Sequence, residues 1–345
     1  MSRKLASIQQ IAEIKAIENS DFLEAVRVNG WWCVTKKGEV TVGGSCIYFE
    51  VDSVLPLEDK YEFLRKSCYV KKDWIEGFRL KTIRLRGQIS QGLVLPMSLF
   101  AHLFIEKVGT DVTDMLGVKL WDPPVPASIA GQVKGNFPNF IPKTDQERIQ
   151  NLDEQTIEKY KDHLFEATLK IDGCSCTIYC KDGEVGVCSR NLELKMNTEN
   201  SANSMVLAAR RVEDKLIKYC RENNCNLALQ GELAGPGIQN NRLKFTGVDF
   251  FLFDVWNIDT RQYLTSDQRL QLSYELKIEH VHVVPHIKIL KEQTVHQLIN
   301  LVQDITLKEG DDPNKYEGLV FKSIIDPSFS FKVINNNYLL RENNE

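Results

Sequence analysis

A lysine, Lys170, stands two places before an Asp-Gly pair, Asp172 and Gly173, in the stretch EATLKIDGCSC at 166–176. The alternation around it reads as a half-buried strand, a setting where ammonium groups are rare unless paired. Two readings follow. Asp-Gly can turn a surface hairpin and leave the lysine solvated, or the amine is held in the strand for its reactivity. Further along, five short segments each set polar groups within or at the end of an apolar run: SRN at 189–191, QGEL at 230–233, FFLFDVW at 250–256, EGLVFK at 317–322 and SFKVINN at 330–336. Singly these are weak signals. Their order along the chain is far more specific than any one of them.

These residues need elements to hold them, and the chain is long enough for two or three domains at 345 residues. Residues 22–100 run as short strands bounded by Gly, Pro or Asp with little helix, the pattern of a small antiparallel barrel. DPPVPASIAGQVKGNFPNFIPK, from Asp122 to Lys143, carries no hydrophobic period and reads as a linker or an extended strap. Beyond it helices and strands alternate. Thr144 and Glu147 form a capping-box signal predicting a helix over 144–163. Strands are expected at 165–180, 184–190, 226–233, 249–257, 317–323 and 329–334, with helices at 203–223, after Thr265, and at 292–308. The fold class is thus α+β: an all-β domain over 1–121, a linker over 122–143, and an antiparallel-sheet domain over 144–345.

The net charge of -4 excludes a bulk polyanion binder, so any nucleic-acid site must be a local patch. Such a patch is offered by RKSCYVKKDWIEGFRLKTIRLRG at 65–87, where Lys81, Arg84 and Arg86 stand among aromatic residues. A solvated strand face is the competing reading. Nine cysteines without framework spacing, no signal-peptide core and no apolar run of membrane length point to an intracellular, reduced protein. Cys174, Cys176 and Cys180 share a strand face but match no zinc pattern and read as buried small side chains. His280, His282 and His286 read as an exposed strand.

In motif order and spacing, the segments from KIDG to SFKVINN resemble the covalent nucleotidyltransferases, which include ATP-dependent DNA and RNA ligases and capping enzymes. The N-terminal part, with NGWWCVTKKGE, YFEVDSVLP and LRGQISQGLVLP, resembles the Naegleria-type RNA ligases, which carry an oligonucleotide-binding (OB) domain in front of the transferase. The resemblance implies an OB-type barrel followed by an adenylyltransferase domain, the reverse of the order in a capping enzyme or DNA ligase, whose OB domain normally follows the last motif. It implies that Lys170 attacks the α-phosphorus of ATP to give lysyl-AMP, that AMP passes to a 5′-phosphate, and that an RNA 3′-hydroxyl displaces it, at free ends or nicks in duplexes. A magnesium ion, replaceable by manganese, is implied at Glu232 and Glu317. Thr168, Arg190, Glu232, Phe253 and Lys322 are the implied nucleotide contacts, Asp172 orients the lysine or a metal-bound water, and Lys322 and Lys332 neutralise the α-phosphate. A monomer is the implied state. The lysine is expected to be buried, unpaired and therefore depressed in pKa. One departure stands out: Ile334 occupies the place of a second lysine that usually follows Lys332 by two residues. The rival reading is an RNA-binding OB protein with a non-catalytic transferase-like domain.

Overall fold

The computed structural model describes residues 4–18, 20–122, 132–284 and 289–342. The chain forms two compact units, Met1–Pro124 with Gln150–Asp153 and Leu339–Glu345, and Val125–Ile149 with Glu154–Tyr338. The first is all-β apart from short helical turns, as its closely spaced strand signals predict. Its long strand, Ala6–Ala16, pairs with Ser45–Phe49 through residues 6–10 and with Leu23–Val28 through residues 11–16, with a bulge between Ile11 and Glu13. A bulge bends a strand, so one segment can serve both sides of a curved sheet. A five-stranded and a four-stranded sheet share a core in which Ile8, Ile47, Phe49, Leu55, Phe78 and Phe100 are closed from solvent. The Thr82–Leu85 and Gln88–Gln91 hairpin turns on Arg86 and Gly87, at φ 49° and 83°, the left-handed pair that a two-residue turn requires.

The second unit contains two sheets. One has five strands in the order Glu147–Arg148, Ser330–Ile334, Gly318–Ser323, Phe165–Lys170 and Val283–Val284. The other has eight, with Glu184–Cys188, Cys174–Lys181, Leu227–Ala234 and Asp249–Asn257 adjacent and antiparallel at its middle. The Ser204–Glu222 helix, capped by Asn203, buries Val206, Ala209, Val212 and Leu216 on the cluster that includes Cys176, Cys180 and Leu229. Those two cysteines are therefore core side chains, as expected. The predicted helix after Thr265 forms as Ser266–Leu276 with its capping box in place.

Two local expectations fail. The helix over 144–163 shrinks to Glu154–Tyr160: Glu147–Arg148 instead runs as an edge strand parallel to Phe331–Lys332, and Ile149 is fully buried. Completing a sheet and burying an isoleucine outweigh a local capping signal, whose value is about 1 kcal/mol. The helix expected at 292–308 is Val295–Gln303, capped by Thr294, with a separate turn at Ile289–Glu292. Of the 122–143 stretch, residues 123–131 lie outside the described residues, while Val133–Asn136 pairs with Leu192–Leu194 and Ile141 is buried beside Tyr179.

Candidate active site

Lys170 ends a strand of the five-stranded sheet, and Cys174 begins one of the eight-stranded sheet, so the Asp172-Gly173 pair is a crossing between sheets rather than a hairpin turn. Gly173 is needed for close approach: a Cβ there would lie 2.4 Å from the Leu233 carbonyl oxygen and 2.9 Å from Cγ of Glu232. The crossing thereby brings Lys170, Asp172 and Glu232 together. Strand register does the rest. Lys170 pairs with Gly318 and Gly318 with Ile334; Thr168 pairs with Val320 and Val320 with Lys332; Glu166 pairs with Lys322 and Lys322 with Ser330. These three rows follow one another at two-residue steps, so Lys170 and the Glu166–Lys322 row are roughly 13 Å apart along the strand.

A cavity of about 510 Å³ lies over these rows, a volume suited to a nucleotide-sized ligand. Thr168, Lys170, Asp172, Arg190, Glu232, Phe253, Lys322 and Lys332 all line it, so eight sequence-predicted residues converge. Glu317 reaches the same lysine from the far side, where its carboxylate accepts from Lys170 Nζ at 2.7 Å. Phe253 is selected over Phe251 by a bulge opposite Gln230 and Gly231, which leaves Phe253 and Asp254 both facing the cavity. Phe251 packs against Phe245 at 4.7 Å between ring centres. Arg190 holds an exposed pair with Asp145 at 3.0 Å, which contributes little stability and can be exchanged for a ligand phosphate.

One expectation about the lysines is corrected. Lys170 is not unpaired. Burial pulls its pKa down, but Glu317, Glu232 and Asp172 more than offset that, and the ammonium is held above its ordinary value. Glu232 shows the reverse side of the same cluster: burial, with help from Glu317 and Asp172 and against Lys170, pushes its carboxyl up to about 7. Lys322 lines the same cavity, toward its other end. It is buried in an ion pair with Asp254 and sits in the row farthest from Lys170, with its pKa lowered by burial and by Arg269 against the pull of Asp254. Lys332, one row nearer, is the better placed cation. Ile334 is 3% exposed in the row of Lys170, packed rather than presented to the cavity.

Sequence reasoning missed the charges behind the cavity. Arg269, fully buried, donates to Glu166 and, from Nε at 2.9 Å, to His280 Nε2. His280 is accordingly no member of an exposed strand: it lies beside Phe251–Leu252, and burial and Arg269 lower its pKa. His282 is exposed, and His286 lies outside the described residues. Asp254 could have been found, since a carboxylate inside FFLFDVW needs a buried partner; nothing in its local sequence marks Arg269. Among the described residues no group of three His, Cys, Asp or Glu side chains is arranged to ligate a metal directly. Three carboxylates around one ammonium nonetheless leave excess negative charge. That donor set fits a hard cation such as magnesium, held partly through its own waters.

A family model described as an OB-fold domain matches residues 5–97, and one described as RNA ligase matches residues 164–334. A search of curated proteins finds no match. Among solved structures, an apo mutant of Naegleria gruberi RNA ligase is 43% identical, with 99% of each chain covered and a TM-score of 0.88. The same ligase with PPi is 42% identical over 100% of each chain, also at 0.88. A mutant of it with ATP and Mn is 43% identical over 97% of this chain and 98% of that one, at 0.87.

Proposed function

This chain belongs to the RNA ligase family, and from that premise we propose that its cavity takes ATP with a divalent metal ion, that Lys170 is the nucleophile, and that the ends joined are an RNA 3′-hydroxyl and a 5′-phosphate at nicks in duplexes. The observation that supports this most is the meeting of Lys170, Glu317, Glu232 and Asp172 at one end of a cavity that Phe253 also lines. In the first step Nζ donates its electron pair to the α-phosphorus, the bond to the bridging oxygen breaks, and pyrophosphate leaves.

The ammonium must first lose its proton, which for an ordinary lysine at pH 7.4 costs about 4 kcal/mol. The pair with Glu317 adds to that cost. A magnesium or manganese ion, when bound, supplies positive charge against the phosphate oxygens. Glu232 and Glu317 would hold it, partly through water, and so turn their charge away from Lys170, after which burial favours the neutral amine. Phe253 stacks on the base, Thr168 lines its pocket, Arg190 and Lys332 take phosphate or ribose oxygens, and Asp172 orients the lysine. The AMP then passes to the 5′-phosphate, and the 3′-hydroxyl displaces it. A monomer suffices for this chemistry. All nine cysteines are free thiols, which supports a cytoplasmic or nuclear setting, and among the described residues no helix is long and apolar enough to cross a membrane.

The test is incubation with α-labelled ATP and magnesium, followed by denaturation. The protein is expected to retain label, and Lys170→Met to bind ATP yet retain none. Label on that variant at the parent's level would remove Lys170 from its role; no label on the parent would leave the RNA-binding scaffold as the better reading.

A further inference from the structure

We propose that Tyr338, set in place by Asn335, is a positioning residue for the adenylylation step, holding Asp172 at the Lys170 centre. Neither residue belongs to the set assigned above, and the inference rests on Lys170 being the nucleophile. Asn335 follows the Ser330–Ile334 strand and is fully buried. Its backbone amide donates to the carbonyl of Glu317 at 2.8 Å. Its side-chain amide donates to the carbonyls of Pro313 and Tyr316 at 3.1 and 3.2 Å, and its Oδ1 accepts from the amides of Asn337 and Tyr338 at 2.9 and 3.4 Å. One side chain thus starts the Asn336–Glu342 helix and fastens it to the residues just before and at Glu317.

The first turn of that helix carries Tyr338, which is 2% exposed and donates its hydroxyl to Asp172 Oδ2 at 2.5 Å. Burial and the neighbouring Asp172 push the phenol far above its ordinary pKa, so it is a hydrogen-bond donor at any working pH. The ring is covered by the Arg242 guanidinium at 4.3 Å, and Arg242 also donates to the Tyr338 carbonyl at 3.3 Å. A carboxylate on a crossing between two sheets has few restraints of its own. Here the bond to Tyr338 fixes Asp172, while Asn335 fixes the backbone of Glu317, so the two acids that flank Lys170 are held from one short segment. A hydrogen bond to a charged group is worth roughly tenfold or more in an equilibrium when removed.

Tyr338→Phe removes one oxygen and keeps the ring against Arg242. In single-turnover transfer of label from α-labelled ATP, it is expected to lower the rate constant at saturating ATP by roughly tenfold, with the half-saturating ATP concentration unmoved. Because the effect runs through the Asp172 carboxylate, adding Tyr338→Phe to Asp172→Ala, which has no acceptor, is expected to cost less than about twofold more. Asn335→Ser can still accept from the helix amides but cannot span to Pro313 and Tyr316, and is expected to lower the same rate constant. An unchanged rate in Tyr338→Phe overturns the proposal, as does a full tenfold loss from Tyr338→Phe in the Asp172→Ala background. The parent and Lys170→Met are run alongside. If the parent takes no label, the ligase reading itself fails; if it does and Tyr338→Phe matches it, only the clamp fails.

Discussion

Glu232 carries an electrostatic cost that can be measured without any substrate. Its carboxyl is pushed up to about 7, chiefly by burial, so in the folded protein it prefers to be protonated where an exposed glutamate is ionised. A carboxyl whose folded pKa lies above its unfolded value stabilises the fold below the unfolded value, and that stability is lost as pH rises to the folded one. The window for Glu232 therefore runs from about 4.5 to about 7. In metal-free protein, Glu232→Gln should raise the stability at pH 8, by roughly 2–3 kcal/mol seen as a higher melting temperature, and change it little at pH 4.5. Equal shifts at both pH values would show that charge is not the cause. Magnesium should stabilise the parent at pH 8 and stabilise Glu232→Gln less, because a cation binds the ionised form. The types at positions 170, 232, 253 and 317 were legible because the order of motifs is restrictive. The charge state of Lys170 was not, since it depends on which acids the fold brings within reach, and Glu317 is 147 residues away.

At the scale of elements, the crossing at Asp172-Gly173 is the joint on which the site depends. Apolar alternation made the strands on either side of it readable, and the Asp-Gly pair suggested a break between them. Whether the break was a hairpin or a passage between sheets depended on partners far along the chain, Gly318 for Lys170 and Leu233 for Cys174. Likewise no local signal marks the bulge that aims Phe253, since a bulge is a mismatch between two strands and only one is visible at a time. The failed helix at 144–163 has the same origin, a parallel strand pairing with residues 331–332. Gly173→Ala tests the joint. The added methyl would meet the Leu233 carbonyl at 2.4 Å, so the strands must separate or Glu232 must move. The expected result is a loss of about 1–3 kcal/mol in stability together with a severe loss of lysine labelling. Gly183→Ala, at an open turn with nothing within 4 Å of its Cβ, serves as the control. Its φ of 83° permits a small stability loss but predicts normal labelling. Normal labelling by Gly173→Ala would mean that the close approach is not essential to the chemistry.

Across the whole molecule, the charge balance constrains how a nucleic acid can be drawn in. A chain of net charge -4 offers phosphates no general attraction, so binding must come from local cations that are not already neutralised. In the first unit several candidates are neutralised: Arg65 pairs with Glu62, Lys71 with Glu76, and Arg79 with Asp52. Lys81, Arg84 and Arg86 are exposed around one hairpin, and among the described residues none has a carboxylate partner. The segment read from sequence as one basic patch thus resolves into a paired part and an unpaired part, a division that composition could not reveal because it is set by cross-strand neighbours such as Tyr69 and Phe78, Lys71 and Glu76. If all three unpaired cations contact phosphates of a nicked duplex, the slope of log affinity against log salt should contain about 0.9 for each, or roughly 2.7 in total. Reversing the three charges to glutamate in the full chain should flatten that slope by at least this amount and weaken binding most at low salt. Labelling of Lys170 by ATP in the absence of nucleic acid should stay within about twofold of the parent, because those residues lie in the first unit and every residue lining the cavity belongs to the second. Measuring binding to one duplex at several salt concentrations, with labelling on the same preparations, separates the possibilities. An unchanged slope would move the phosphate contacts elsewhere on the protein, whereas a flattened slope with a lost adduct would mean that the reversals had disturbed the transferase fold.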